Sequence, residues 1–508
     1  MNEIVVELLR FNERHNEIEL ENSSIIPRGS KVEKLLSGFR NNEIAMAEFD
    51  GVENKAFMML RLELLNKLVE LTSKVALNKV YKSRYLGDYF KTLRDMFWAR
   101  VLLSLGMYQS GLWLLKKSMK KAELLENWEA VLTGSNILIS YYAVRGDYKS
   151  GRKYSKLSNY SIEMVSKKLQ LSEITNKWVL IFSRKRSASK DQIKELGKDV
   201  RKAKRILGDI QLVNMVHMVK RIELMYLDAK LNYEAIISLS EETKRLIIAK
   251  SGYSDFSKLG IYIGIQMYAY LNLKKIDEAK KLNLELDQYI SPGVMNWFIF
   301  MEYYFVLLLQ SGEFYEASLL IDKIENTRGY RQLKGVQKDI WVLLTAYMQF
   351  VAIAGVWKNV PKSFSKKTFK ANKFINEVLN LGGDKTGLNV SVLILQVLFL
   401  LHYQRYEEII DKKDALKRYV TRYLNSKENN RSRLFMTMLL RMIDVEFSFN
   451  VTLDKTKRLQ TQLSNQEMNY RANLGGNEIM DYELLWHWVL NTLKTQWPKS
   501  TKKGPIAK

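Results

Sequence analysis

Gly106-Met107-Tyr108-Gln109-Ser110-Gly111 returns forty residues later as Gly146-Asp147-Tyr148-Lys149-Ser150-Gly151. In both copies a glycine precedes an aromatic residue by two places, and a second glycine follows that residue by three. The first glycine offers the left-handed backbone on which a helix can end, and the second lets a following helix lie close against its predecessor. Between the copies, Leu112, Leu115, Met119 and Ala122 fall at steps of three, four and three, the spacing of one buried helix face. Recurrence near forty residues predicts stacked helical hairpins, in which each unit buries its apolar face against its neighbours.

The turn can be followed along the chain. It returns at Lys230-Leu231-Asn232-Tyr233, Lys275-Ile276-Asp277-Glu278-Ala279, Gly312-Glu313-Phe314-Tyr315-Glu316-Ala317, Gly355-Val356-Trp357 and Gln404-Arg405-Tyr406. The apolar anchors Tyr108, Tyr148, Tyr233, Ile276, Phe314, Trp357 and Tyr406 are spaced 40, 85, 43, 38, 43 and 49 residues apart. The one double-length gap predicts a degenerate unit near residue 190, for about eight hairpins in all. Three residues after the anchor stands a small side chain at Gly111, Gly151, Ala279 and Ala317, where close helix approach is expected. These steps resemble the tetratricopeptide repeat family, whose units join two helices through a Gly-x-Tyr-x-x-Ala step like that of Gly106, Tyr108 and Gly111 or of Gly312, Phe314 and Ala317. The resemblance covers about residues 85–425; the period is longer than that family's, and the usual closing proline is missing. It implies an all-α, right-handed superhelical array of antiparallel hairpins, a peptide-binding concave face and no catalysis.

Composition agrees with the fold class. Only 5 prolines interrupt 508 residues, and 47% of the chain is hydrophobic, enough for a continuous series of small cores. Cysteine is absent, which excludes disulfides and thiolate chemistry and suits a reducing compartment. Acids at Glu3 and Glu7, where a secretory leader would be basic, predict a cytoplasmic protein. Residues 1–53 are acidic and broken at Pro27-Arg28-Gly29-Ser30, and read as an N-terminal helical cap. Residues 54–425 read as the array, and 426–497 as a C-terminal helical cap containing Trp486, His487, Trp488 and Trp497. Residues 498–508 read as a basic disordered tail. The uncharged run Ile340–Trp357 has the length of a membrane span, but Thr345, Tyr347 and Gln349 inside it and its place in the repeat favour a buried helix. Trp297–Leu309 and Val390–Leu401 read as core too.

A net charge of +25 points to an anionic partner, either an acidic protein segment or nucleic acid. Residues 184–205 concentrate it: Arg184, Lys185, Arg186, Lys190, Lys194, Lys198, Arg201, Lys202, Lys204 and Arg205 stand against three acids. Lys190, Lys194, Lys198, Arg201 and Arg205 share one helical face, and Ile193, Leu196, Val200, Ala203 and Leu207 share another. That face is either a ridge that tracks phosphates or a solvated surface. Lys362, Lys366, Lys370 and Lys373 repeat the spacing after Pro361, with Phe364 and Phe369 available to stack on bases or to pack.

Catalytic signatures are weak. His15, His217, His402 and His487 form no paired metal motif, and no Gly-x-Ser-x-Gly is present. Gly382-Gly383-Asp384-Lys385-Thr386-Gly387 carries the Lys-Thr pair of a phosphate loop but has an aspartate where glycine is needed, so it reads as an inter-helix loop. No catalytic residue, metal or cofactor is expected. The sequence therefore predicts a non-catalytic scaffold for a protein partner, with nucleic-acid binding or a regulatory subunit of an enzyme as alternatives.

Overall fold

The structure, a computed structural model, describes residues 2–15, 25–27, 29–40, 55–75, 84–184, 189–250, 257–365, 370–376, 388–425, 429–466 and 478–500. Among them every regular element is helical. The chain divides into two compact units, Met1–Val165 and Ser166–Lys508 without a short internal loop, and the division falls inside a single helix.

The first unit begins with α1 (Asn2–His15), α2 (Lys31–Arg40) and α3 (Lys55–Ser73). These three close round Val5, Leu9, Val32, Leu36, Phe39, Leu64 and Leu68. The expected break at Pro27 separates α1 from α2, and the Ser30 hydroxyl caps α2 by accepting the Glu33 N–H at 3.1 Å. Asn12 lies wholly inside, donating to the Leu68 carbonyl at 3.2 Å and to Thr72 Oγ1 at 2.9 Å. There follow α4 (Arg84–Ser104), α5 (Tyr108–Leu124), α6 (Trp128–Val144) and the long α7 (Tyr148–Arg184). Leu115, Met119 and Ala122 of α5 are buried, as their spacing predicts.

The second unit takes the end of α7 and then α8 (Lys190–Leu207), α9 (Val213–Ala229), α10 (Tyr233–Ala249), α11 (Ser257–Asn272), α12 (Ile276–Tyr289), α13 (Met295–Gln310), α14 (Phe314–Asn326) and α15 (Val336–Ile353). Two short helices, α16 (Lys362–Ser365) and α17 (Ala371–Asn376), lead to α18 (Leu388–His402), α19 (Tyr406–Tyr423), α20 (Asn430–Asp444), α21 (Phe449–Ser464) and α22 (Tyr482–Ser500). A core running from the end of α9 to α22 centres on α13, α15 and α18, whose apolar runs are buried on nearly every side. The uncharged run is core from Ile340 to Val351 and surfaces at Ile353 before Trp357 turns back in, and no helix of the described residues is long and apolar enough to cross a membrane.

One turn recurs at seven of the junctions. Seven times a three-residue link closes when the N–H before the new helix donates to a carbonyl five residues back. The pairs are Met107–Leu102, Asn127–Ala122, Asp147–Tyr142, Asn232–Leu227, Lys275–Tyr270, Glu313–Leu308 and Arg405–Leu400, all at 2.9–3.0 Å. This is the Schellman closure, which needs a left-handed residue just before the donor. Gly106, Gly146 and Gly312 supply it at φ of 78, 68 and 75°, whereas Glu126, Leu231, Lys274 and Gln404 reach it with side chains at 55–59°. Asn127, Asp147 and Asn232 then cap the following helix through their side-chain oxygens.

Midway through the first forty-residue period the same turn recurs without a glycine at Glu126-Asn127-Trp128, so that Tyr108, Trp128 and Tyr148 each begin a helix, two to a period as hairpins require. Three expectations change. After Gly355 no helix starts at Trp357; the chain bends on to α16, although Trp357 itself is buried against Phe314 and Phe364. Gly151 faces open space within 4 Å, while a side chain at Gly111 would meet Leu103 Cγ at 2.7 Å; Ala279 and Ala317 are fully buried. Finally, the units of an ideal array touch only their neighbours, yet α22 reaches far back. Trp488 Nε1 donates to the Ala354 carbonyl at 3.0 Å, and Gln310 donates to the Glu478 carbonyl at 3.1 Å.

Candidate functional site

The basic helix foreseen near residue 190 is α8. Its N-terminus is set by a capping box in which Ser189 Oγ accepts the Gln192 N–H at 3.2 Å and Gln192 accepts the Ser189 N–H at 2.9 Å. Leu196, Val200 and Ala203 are buried, while Lys190, Lys194, Lys198, Arg201, Lys202 and Arg205 are exposed. Both predicted faces are therefore present. Of the remaining candidates, Arg184 ends α7, and Lys185 and Arg186 lie outside the described residues.

Two of the three acids of α8, Glu195 and Asp199, are engaged elsewhere. Lys177 of α7 places its Nζ 2.6 Å from Glu195 and 2.8 Å from Asp199, and Trp178 Nε1 donates to the same Asp199 oxygen at 2.8 Å. Burial pulls the Lys177 ammonium down, but these two carboxylates more than offset it and hold its pKa above the ordinary lysine value. On the other edge, Lys204 pairs with Glu223 of α9 at 2.6 Å. The six outward bases form no ion pair with a described residue.

The second basic candidate is not one helix. Lys362 lies on α16, Lys370 precedes α17 and Lys373 lies on α17, all exposed, and Lys366 and Phe369 lie outside the described residues. Each short helix instead buries a phenylalanine, Phe364 against Trp357 and Phe374 against Phe399, with ring centroids 5.6 and 5.9 Å apart. Phe364 therefore packs. The loop Gly382–Gly387 also lies outside the described residues.

A further surface was not foreseen. The α4–α5 and α6–α7 turns lie side by side at one end of the first unit, because Tyr108 and Tyr141 meet with centroids 5.8 Å apart. Arg145 lies over both rings, 4.8 Å from Tyr108 and 3.7 Å from Tyr141. Around them Val144 is 86% exposed, Tyr148 76%, Leu105 69% and Trp113 63%. Lys117 sits 4.7 Å over Trp113, and Lys116 sits 5.4 Å over Tyr142, which stacks on Tyr154. The Tyr142 hydroxyl is the main influence holding Lys116 above the ordinary lysine pKa. An open groove of about 370 Å³ runs between Leu102, Gln109, Ser110, Trp113 and Leu114. Asp147, the acid of this end, accepts the Ser150 N–H at 3.0 Å, which holds its carboxyl below the ordinary range. In the sequence Tyr108 and Tyr148 are apolar anchors of the repeated turn, and nothing in the repeat itself marks them as exposed. The available signal was the company they keep: Leu105, Met107 and Val144 sit in the turn itself, where a core helix has no neighbour to cover them.

The remaining polar cluster is structural. Glu478, Asp481 and Glu483 draw together, but Arg431 lies among them, binding Glu478 and Glu483 at 2.7 Å each and the Leu463 and Gln466 carbonyls at 2.8 and 2.6 Å. Burial, the larger influence, pushes the Glu478 carboxyl above its ordinary range against the pull of Arg431. Of the histidines, buried His217 meets the Tyr262 hydroxyl at 2.9 Å, and His402 packs beside Tyr403 and Trp488.

No protein-family model, no curated protein and no solved structure matches this chain.

Proposed function

We propose that the chain is a non-catalytic, tetratricopeptide-like helical scaffold that holds an acidic segment of a partner protein against the aromatic end of its first unit. One observation carries the reading: Leu105, Met107, Tyr108, Trp113, Val144 and Tyr148 are exposed together, among Lys116, Lys117, Arg145, Lys149, Arg152 and Lys153. A soluble surface rarely leaves that much apolar area bare without a partner for it. Tyrosine, tryptophan and arginine are the side chains that anchor protein interfaces. Their cations already rest on rings, so an incoming carboxylate meets oriented charge while aliphatic or aromatic neighbours fill the groove beside Trp113. The repeated turn supports the scaffold half of the reading, since it sets neighbouring helices at one fixed step and brings alternate turns to the same end.

Selection of a displayed random-peptide library on the full chain tests this. Enriched peptides should combine Asp or Glu with aliphatic or aromatic residues. The double variant Trp113→Ala, Tyr148→Ala should bind them at least about tenfold more weakly, which is about 1.4 kcal/mol. Peptides without acids, or equal binding by the variant, would contradict the proposal.

A further inference from the structure

The α8 face is a second, chemically different surface. At 100° per residue, Lys190, Lys194, Lys198, Arg201, Lys202 and Arg205 fall within about 120° of arc and extend about 22 Å along the axis. Asp191, in the first turn, is the acid that shares this sector, where it suits the helix N-terminus. Glu195 and Asp199 lie beyond one edge, held by Lys177 and Trp178, and Lys204 lies beyond the other, held by Glu223. Apart from Asp191 at its N-terminal end, the sector is thereby left as a row of cations.

We infer that this row is a binding site for double-stranded nucleic acid, held through its phosphates and without base readout. Three features of the face decide the ligand. No large hydrophobic side chain of α8 is exposed, so the face lacks the apolar centre that a protein interface is built on. It carries no aromatic residue, whereas proteins that hold single strands stack the unpaired bases on aromatic rings. The row is one side chain deep and edged by acids on the α7 side, which suits a line of phosphates better than the plane of an anionic membrane. A duplex keeps its bases stacked and presents a regular line of backbone charge, and cationic side chains that form no ion pair with a described residue can displace its counterions. A row that docks along the backbone neutralises phosphates whatever the bases between them, so the site distinguishes duplex from single strand but not one sequence from another.

The test is fluorescence anisotropy of the full chain with a labelled mixed-sequence DNA duplex longer than the row, across a salt series. Single-stranded oligonucleotide and anionic phosphatidylserine vesicles are the comparison arms. Wild type should bind the duplex with affinity that falls steeply with salt. The variant Lys194→Gln, Lys198→Gln, Arg201→Gln, Arg205→Gln should keep its melting temperature and give a slope shallower by about 0.9 for each phosphate it no longer neutralises. Because the four side chains are exposed, the fold should tolerate the change; the pair Lys198→Gln, Arg201→Gln, with half the reduction in slope, serves as a milder second reading. An unchanged slope in both variants would overturn the site. Tighter binding of single strands or of vesicles than of duplex would overturn its ligand. Neither result bears on the aromatic end of the first unit, whose residues these variants leave intact.

Discussion

The two units use the same turn and put it to opposite ends. At Asn232-Tyr233, in the second unit, the residue that opens the new helix is 6% exposed and meets Tyr268 edge-on at 6.0 Å. At Asp147-Tyr148, in the first, the residue in the same place is 76% exposed. The closing hydrogen bond is 3.0 Å in both. A Schellman turn thus fixes how one helix leaves another and leaves open what covers the junction. Burial comes from neighbours: the second unit supplies them from distant parts of its chain, whereas the first leaves two adjacent turns bare and rims them with cations. Covered turns serve stability, and bare ones are free for recognition.

The comparison can be strained where it should be strongest. Arg431 ties α20 to the segment leading into α22, and its removal would leave the Glu478 carboxyl buried without its countercharge. Arg431→Met should therefore cost about 3–5 kcal/mol in chemical denaturation. Burial raises the folded-state pKa of Glu478 above its unfolded value, so the folded state binds that proton more readily. The associated stability is present at low pH and is lost as the pH rises through the raised value. Without the opposing guanidinium the rise is larger, so the variant should lose more stability at neutral pH than at about pH 5. A deficit of the same size at both would show that Glu478 is not desolvated as described.

Next in size is the pair of anchors. Tyr233→Ala should cost about 3–5 kcal/mol by emptying a core position, and Tyr148→Ala should stay within about 0.5 kcal/mol. Equal losses would erase the distinction between covered and bare turns.

Smaller, and opposite in sign, are the two glycines that the motif makes equivalent. Gly111→Leu should cost about 1–3 kcal/mol because its Cβ already meets Leu103 at 2.7 Å. Gly151→Ala should raise stability by about 0.5–1 kcal/mol, since it lies in a helix with open space around it. Melting curves of the two variants moving in the same direction would contradict the packing described.

The helical class, six of the seven shared turns and both faces of α8 were legible, because each depends on local sequence: a left-handed residue, a cap, a periodic face. The turn at Glu126 was hidden because a glutamate occupies the left-handed position that glycine marks elsewhere. The return of α22 onto the end of α15 was hidden because nothing local announces a hydrogen bond from Trp488 to Ala354. The aromatic end was hidden for a related reason. Tyr108 and Tyr148 have the residue type and register of core anchors, and only the absence of a covering element makes them surface. The α8 row was visible as charge, but its purity was not, since it depends on Lys177 and Trp178 drawing two acids away.

Amide hydrogen exchange on the full chain, with and without a saturating peptide from the selection, locates where the partner docks. Bound peptide should slow exchange at residues 105–117 and 141–154 and leave α10 to α22 unchanged. Slowing confined to the second unit, or none at the two bare turns, would show that the aromatic end is not where the partner docks.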